Sequence, residues 1–175
     1  MKGMNNVNLE NLLKTRESVA NGELPPYRMF EVEGEWMFGE TQFKSTLNFE
    51  NGSITLFTDQ PTPSGGKGNA PNPVQYCVFS MIACYATTFV TIAAMKGVEI
   101  KSLKVKGYSK VNMKAVLEIE EGPVVEEVGI TLEVTSSASR EVLEEIKNLA
   151  DKKCPAAYTV SHAVPFKSYI TFTDG

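Results

Sequence analysis

The sequence is short of the residues that mark several large functional classes. Its 175 positions hold three Cys, three Arg, one His and one Trp. Three Cys are too few, and the wrong parity, for the disulfide framework of a small secreted domain. Positive charge is not in surplus either: 17 Lys and Arg stand against 21 Asp and Glu, a net charge of −4. Such a chain lacks the basic footprint of a nucleic-acid binder, so no nucleic-acid partner is expected. No G-x-S-x-G is present for a serine hydrolase. Cys77, Cys84, Cys154 and His162 show no paired zinc-ligand spacing, so no metal is expected. The single His162 is read as solvent-facing or as a cap. Ser64-Gly65-Gly66-Lys67-Gly68 lacks the phosphate-loop pattern and reads as a flexible turn. The first residues, Met1 to Asn11, are mostly polar and have no secretory pattern, which sets the expected location as a reducing cytoplasm.

What remains is an ordinary globular composition, 42% hydrophobic and 22% charged, in a chain of single-domain size. The expected organisation is an N-terminal helical arm over 1–24 and one domain over 25–175. Leu9 to Ala20 has helical spacing and stops at Gly22. Arg28 to Phe38, Gln42 to Phe49 and Ser53 to Phe57 read as strands, with Asn51-Gly52 as a hairpin turn. A Pro- and Gly-rich loop, Gln60 to Pro73, leads into a long helix capped by Asn72, with Pro73 in its first position and Gln75 three after the cap. Glu99 to Glu120 and Glu127 to Thr135 read as strands, with a turn at Glu121-Gly122-Pro123. Ser139 caps a second helix ending near Lys152-Lys153, and Ala157 to Thr173 reads as a final strand pair. This order is that of an α+β domain. The Lys-rich start and Glu-rich end of the 96–127 region read as a solvated sheet.

From Gly68 to Met95 no residue is charged, and the stretch after Pro73 is long enough to span a bilayer. Gln75, Ser80, Thr87, Thr88 and Thr91 make it weakly hydrophobic for that purpose, so it is read as the central helix of a soluble fold, with no membrane partner. On this helix Cys77 and Cys84 lie two turns apart, about 10 Å along the axis, too far for a mutual disulfide. Ser80, Met81, Thr87, Thr88, Thr91 and Met95 are assigned to their face; Val78, Ile82, Phe89 and Ile92 are assigned to the opposite one. Cys77 is expected to be a small buried hydrophobe. Cys154, just past the second helix and before Pro155, places a thiol at a fixed corner of the chain, where a thiol on a packed helix could meet it.

The segment NPVQYCVFSMIACYATTFVTIAAMKG resembles the Asn-Pro-led central helix of the OsmC/Ohr family, whose reactive cysteine falls at the position of Cys84. The loop carrying Gly65-Gly66 and Asn69-Ala70-Pro71-Asn72-Pro73 is similar to that family's approach to the helix, and Cys154-Pro155 matches its second cysteine. Glu35-Trp36 and the Gly39 turn resemble its first hairpin. The likeness runs from about Glu31 to Phe172. It implies an OsmC-like fold, with antiparallel sheets wrapped around a long central helix and a second helix in an intertwined homodimer whose active sites lie at the interface. It also implies a thiol peroxidase acting on organic hydroperoxides. Cys84 would be the peroxidatic residue and Cys154 the resolving one. No cofactor would be bound, and an external dithiol of the lipoyl type would serve as reductant.

Two positions depart from the Ohr branch. Its Arg after the first turn has no counterpart in Gly39-Glu40-Thr41-Gln42, and its Glu two after the Asn is Val74. Arg28 and Lys67 are the candidate substitutes for the activating cation. Two alternatives remain: a module of the same fold that binds a lipid-like or other apolar ligand without turnover, and a structural domain with inert thiols.

Overall fold

The computed structural model describes residues 3–172. Helix α1 spans Leu9–Ala20, capped by the Asn8 side chain accepting from the Asn11 amide. None of its residues is buried. The arm is tied to the body ahead of this helix: Asn5 Nδ2 donates to the Val98 carbonyl and Asn5 Oδ1 accepts from the Ile100 amide, both at 2.8 Å. Asn5 takes a positive φ of 57° there, a conformation Asn tolerates better than most residues.

A three-stranded antiparallel meander follows: β1 (Gly34–Trp36), β2 (Phe43–Phe49) and β3 (Gly52–Thr58). The expected first strand is cut to three residues, because 25–33 run without regular pairing. Two proline residues open that segment, and no neighbouring strand in this chain pairs with it. The loop from Asp59 to Asn72 is stitched down rather than flexible. Asp59, 1% exposed, accepts through Oδ2 from the amides of Lys67 (3.1 Å) and Asn69 (3.0 Å). Gln42 clamps the same loop, accepting from the Gln60 amide at 2.9 Å and donating to the Gly65 carbonyl at 3.2 Å.

Helix α2 runs Pro73–Met95 behind a complete capping box. Asn72 accepts from the Gln75 amide, the Gln75 side chain accepts from the Asn72 amide, and Pro73 sits in the first turn. It stops where Gly97 adopts φ +70°. Length and composition would allow α2 to cross a membrane, and 33% of its most apolar window is buried within the chain. The buried stripe is Met81, Tyr85, Phe89, Ile92 and Ala93, so Met81 shares a face with Phe89 and Ile92, against the assignment from spacing. The exposed stripe is Cys77, Ser80, Ala83 and Thr87, and Cys84 lies on the border between the two.

Strands β4 (Ile100–Val111) and β5 (Val125–Ser136) form an antiparallel pair against α2. Between them, Asn112 caps a short helix α3 (Met113–Val116) where the sequence predicted continued strand. The Asn112 side chain accepts from the amides of Lys114 and Ala115, a local bond that favours a turn over a ladder. The outer face carries the ion pairs expected of a solvated sheet, Lys106–Glu133 and, at 2.5 Å, Lys110–Glu126.

Helix α4 (Arg140–Lys153) packs on α2, and α5 (Pro155–Ser161) follows at once. The predicted final strand pair is replaced by α5 and then by an exposed, unpaired stretch over 162–172. Pro155 has no amide to lose at a first helical position, and the Cys154 sulfur caps the new helix. The predicted end of that strand, Thr173, lies outside the described residues. The core joins α2 to α4 through Tyr85, Phe89, Ile92, Ala93, Ile146, Ala150 and Cys154.

Candidate functional site

Two sulfurs that are 70 residues apart in sequence meet in this core. Cys84 Sγ and Cys154 Sγ lie 3.5 Å apart, both as free thiols. Cys84 reaches this point because it sits on the border of the buried stripe of α2. Cys154 reaches it because Ile146, Ala150 and Cys154 recur every fourth residue on the inner face of α4, all 0% exposed. The distance is that of contact between unbonded sulfurs; a disulfide needs about 2.05 Å, so closing the pair takes about 1.5 Å of movement. Cys77, expected to be buried, is exposed on the same side of α2 but two turns nearer its start, and stands apart from the pair.

Helix α5 turns its first amides toward the sulfurs. The Ala157 amide donates to Cys154 Sγ at 3.5 Å, and the Ala156 amide faces Cys84. Burial pushes the Cys84 thiol up, the Ala156 amide draws it back, and the neighbouring Cys154 raises it again. The net result lies above the ordinary cysteine range, because burial disfavours the thiolate and no cation offsets it.

The candidate cations are engaged or placed elsewhere. Lys67 Nζ donates to the Gly39 carbonyl at 3.1 Å and lies 3.6 Å from Glu40 Oε2, so it holds the loop to the β1–β2 turn. Arg28 is exposed in the unpaired segment before β1 and forms no ion pair among the described residues. Within one chain neither is brought to Cys84. His162 stacks on Tyr158, with ring centroids 3.9 Å apart, and ends α5, in keeping with its reading as a cap. Among the described residues, no group of three or more His, Cys, Asp and Glu side chains is placed to hold a metal.

One group beside the pair was not singled out in the sequence. The Tyr85 hydroxyl donates to Asp151 Oδ1 at 2.6 Å, and Lys147 Nζ lies 2.8 Å from Asp151 Oδ2. Burial pushes the Tyr85 phenol up strongly, and the Asp151 carboxylate adds to the shift. Burial also pushes Asp151 up, but the bonds from Lys147 and Tyr85 outweigh it and hold the carboxyl below its usual range. A sequence signal existed: a tyrosine on the buried face of an uncharged helix needs a partner for its hydroxyl.

An apolar cavity of about 830 Å³ opens between the meander and the first half of α2, lined by Trp36, Phe43, Leu47, Leu56, Phe79 and Ser80 among others. Ser80 lies one helical turn before Cys84.

A long central helix and the end of a second one thus bring a pair of free thiols together beside antiparallel sheets on an α+β scaffold. The family model described as OsmC-like protein matches residues 66–168. The chain belongs to the OsmC-like family. Among solved structures, the OsmC-like protein of Mycoplasma pneumoniae is similar at 18% identity and a TM-score of 0.61, covering 78% of this chain and 89% of that one. The organic hydroperoxide resistance protein OsmC of Legionella pneumophila is similar at 15% identity and a TM-score of 0.55, covering 77% and 92%. The organic hydroperoxide resistance protein OhrB of Bacillus subtilis is similar at 19% identity and a TM-score of 0.52, covering 78% and 94%. At these identities the likeness establishes the fold. No curated protein matches the chain closely enough to count as a relative.

Proposed function

We propose that the protein is a thiol-dependent peroxidase that reduces organic hydroperoxides to alcohols. The observation that carries this reading is the 3.5 Å approach of Cys84 Sγ to Cys154 Sγ in a buried core. The Cys84 thiolate attacks the distal oxygen of the hydroperoxide, the O–O bond breaks, and the leaving alkoxide takes a proton and departs as the alcohol. Cys84 is then a sulfenic acid, which readily condenses with a nearby thiol. Cys154 attacks it, water leaves, and a Cys84–Cys154 disulfide forms. An external dithiol, lipoylated protein or another, supplies two electrons and two protons and leaves as its own disulfide. A cytoplasmic setting would keep that dithiol reduced.

The working unit in this reading is a homodimer. Phe38, Phe79, Phe166 and Tyr169 are all well exposed in one chain, more apolar surface than a lone soluble domain leaves open. A partner chain would cover it and offers a source of the missing cation.

The test is intact mass and thiol count of reduced protein after cumene hydroperoxide, then after dihydrolipoamide. The expected result is loss of two hydrogens mapped to Cys84–Cys154, reversed by the dithiol. Cys84→Ser abolishes turnover; Cys154→Ser allows one oxidation per site and then stalls. Wild-type peroxide consumption by Cys84→Ser would refute the mechanism.

A second reading, an apolar-ligand binding protein without turnover, is favoured by two observations: the large apolar cavity beside α2 and the upward shift of the Cys84 thiol. Thiols that stay free under peroxide, together with a co-purifying apolar ligand in native mass spectrometry, would select it.

A further inference from the structure

We propose that Tyr85, Asp151 and Lys147 form a clasp that positions the two thiols for disulfide formation, with Tyr85 as the positioning residue. The inference rests on the reading of Cys84 and Cys154 as a redox pair and adds to it what holds them in register. Tyr85 is the residue after Cys84, and Asp151 lies one helical turn before Cys154. The 2.6 Å bond between them therefore ties the backbone of α2 at one thiol to the last turn of α4 at the other. Lys147, one turn further back on α4, holds the second carboxylate oxygen at 2.8 Å and fixes the side chain's direction. The Tyr85 hydroxyl also approaches the Lys147 carbonyl at 3.4 Å. Tyr85 is only 4% exposed, so its hydroxyl has little recourse to solvent if this partner is lost.

The packing of α2 on α4 is otherwise apolar near the thiols, and apolar contacts permit small slides that a charge-assisted bond of fixed geometry does not. A slide of an ångström matters here because the sulfurs have about 1.5 Å to close. The same two helices share a second polar contact, Lys96 Nζ to Glu145 Oε1 at 2.7 Å, at the end of α2 remote from Cys84. That pair makes an internal control: it joins the same helices but does not flank the sulfurs.

The experiment equilibrates the full-length protein with mixtures of reduced and oxidised dithiothreitol and follows the Cys84–Cys154 disulfide by mapped mass. Two S–H bonds are lost and one S–S bond forms in the protein, while two electrons and two protons pass to oxidised dithiothreitol, whose own S–S bond breaks. Tyr85→Phe is expected to lower the equilibrium constant for disulfide formation about tenfold, a reduction potential less negative by about 30 mV. Lys96→Met is expected to stay within about twofold of wild type, well short of that tenfold step. Asp151→Asn, which keeps an acceptor for the phenol, should lie between wild type and Asp151→Ala. A Tyr85→Phe potential equal to wild type, or an equal shift in Lys96→Met, overturns the proposal. If Tyr85→Phe does not fold, the Asp151→Ala and Asp151→Asn pair decides, and equal potentials in those two overturn it. No peroxide enters this assay. A wild-type chain that forms the disulfide with oxidised dithiothreitol but ignores peroxide removes the peroxidase reading and leaves the clasp. A wild-type chain that forms no such disulfide removes the clasp's role.

Discussion

The Tyr85 hydroxyl donates to Asp151 Oδ1 at 2.6 Å at the edge of a seam that is otherwise apolar. A polar bond of fixed geometry between two helices, here with Tyr85 buried and Asp151 exposed, defines one alignment where apolar packing alone tolerates several. The shifts in this group follow from the geometry: Tyr85 and Lys147 are held protonated and Asp151 ionised, so the clasp keeps its charge state across the neutral range.

The carboxylate makes an acid-stability prediction. Asp151 titrates below its usual range, so the folded state binds its proton more weakly than the unfolded chain does. Its stabilising contribution is present above the unfolded carboxylate value, about pH 4, and is lost as pH falls through the lower folded value. The urea midpoint of wild type should exceed that of Asp151→Asn at pH 7, and the gap should narrow toward pH 2–3. A gap that is constant with pH would contradict the linkage.

Cys84 should react as a reluctant thiol. Burial raises it, so the pH profile of its alkylation by iodoacetamide should have a midpoint above the ordinary value of about 8.5. Exposed Cys77, mapped in the same digest, provides the comparison. A Cys84 midpoint near 6 would mean that a cation reaches it, and a dimer-dependent fall in the midpoint would place that cation on the partner.

Gly107 fixes how closely β4 approaches α2. A Cβ built there would lie 2.3 Å from Ile82 Cγ2 and 3.2 Å from Val78 Cγ1. Both neighbours are β-branched and stiff, so Gly107→Ala should cost about 1–3 kcal/mol as the strand is pushed outward. Thermal or urea unfolding measures it. Ile82→Ala in the same chain removes the clashing Cγ2 and should recover part of the loss.

The helices were legible because their ends carry local chemistry. Asn72-Pro73 with Gln75, Ser139, and the Gly97 stop each act within a turn of their own residues, and the structure places α2 and α4 where those signals put them, as it places α1 where its apolar spacing did. The meander was legible through Asn51-Gly52 and alternation. What failed depended on the competition between a local bond and a distant partner. Asn112 turns the chain into α3 instead of extending β4. Cys154 and Pro155 start α5 where strand composition suggested otherwise. The segments 25–33 and 162–172 are strand-like in composition, yet no strand of this chain pairs with them, and pairing is not a property of composition. At the site, Cys84 and Cys154 were legible through the family resemblance, and the structure brings them together. Cys77 was misjudged because its helix is amphipathic in burial without being amphipathic in composition. Lys67 was drawn from a short supply of cations, and charge alone does not say that the Gly39 carbonyl and Glu40 would hold it.

The long sequence separation of the two sulfurs has a kinetic consequence. The β2–β3 hairpin and the individual helices close over short stretches of chain, whereas the Cys84–Cys154 contact spans 70 residues, with β4, β5 and α4 lying between the two cysteines. Loop closure of that length comes late, after local contacts have already reduced the chain's freedom. During synthesis Cys77 and Cys84 emerge well before Cys154 and lie too far apart on one helix to bond to each other. Until Cys154 has been made, Cys84 has no partner across the α2–α4 seam, so the pair assembles only once the second half of the chain is available.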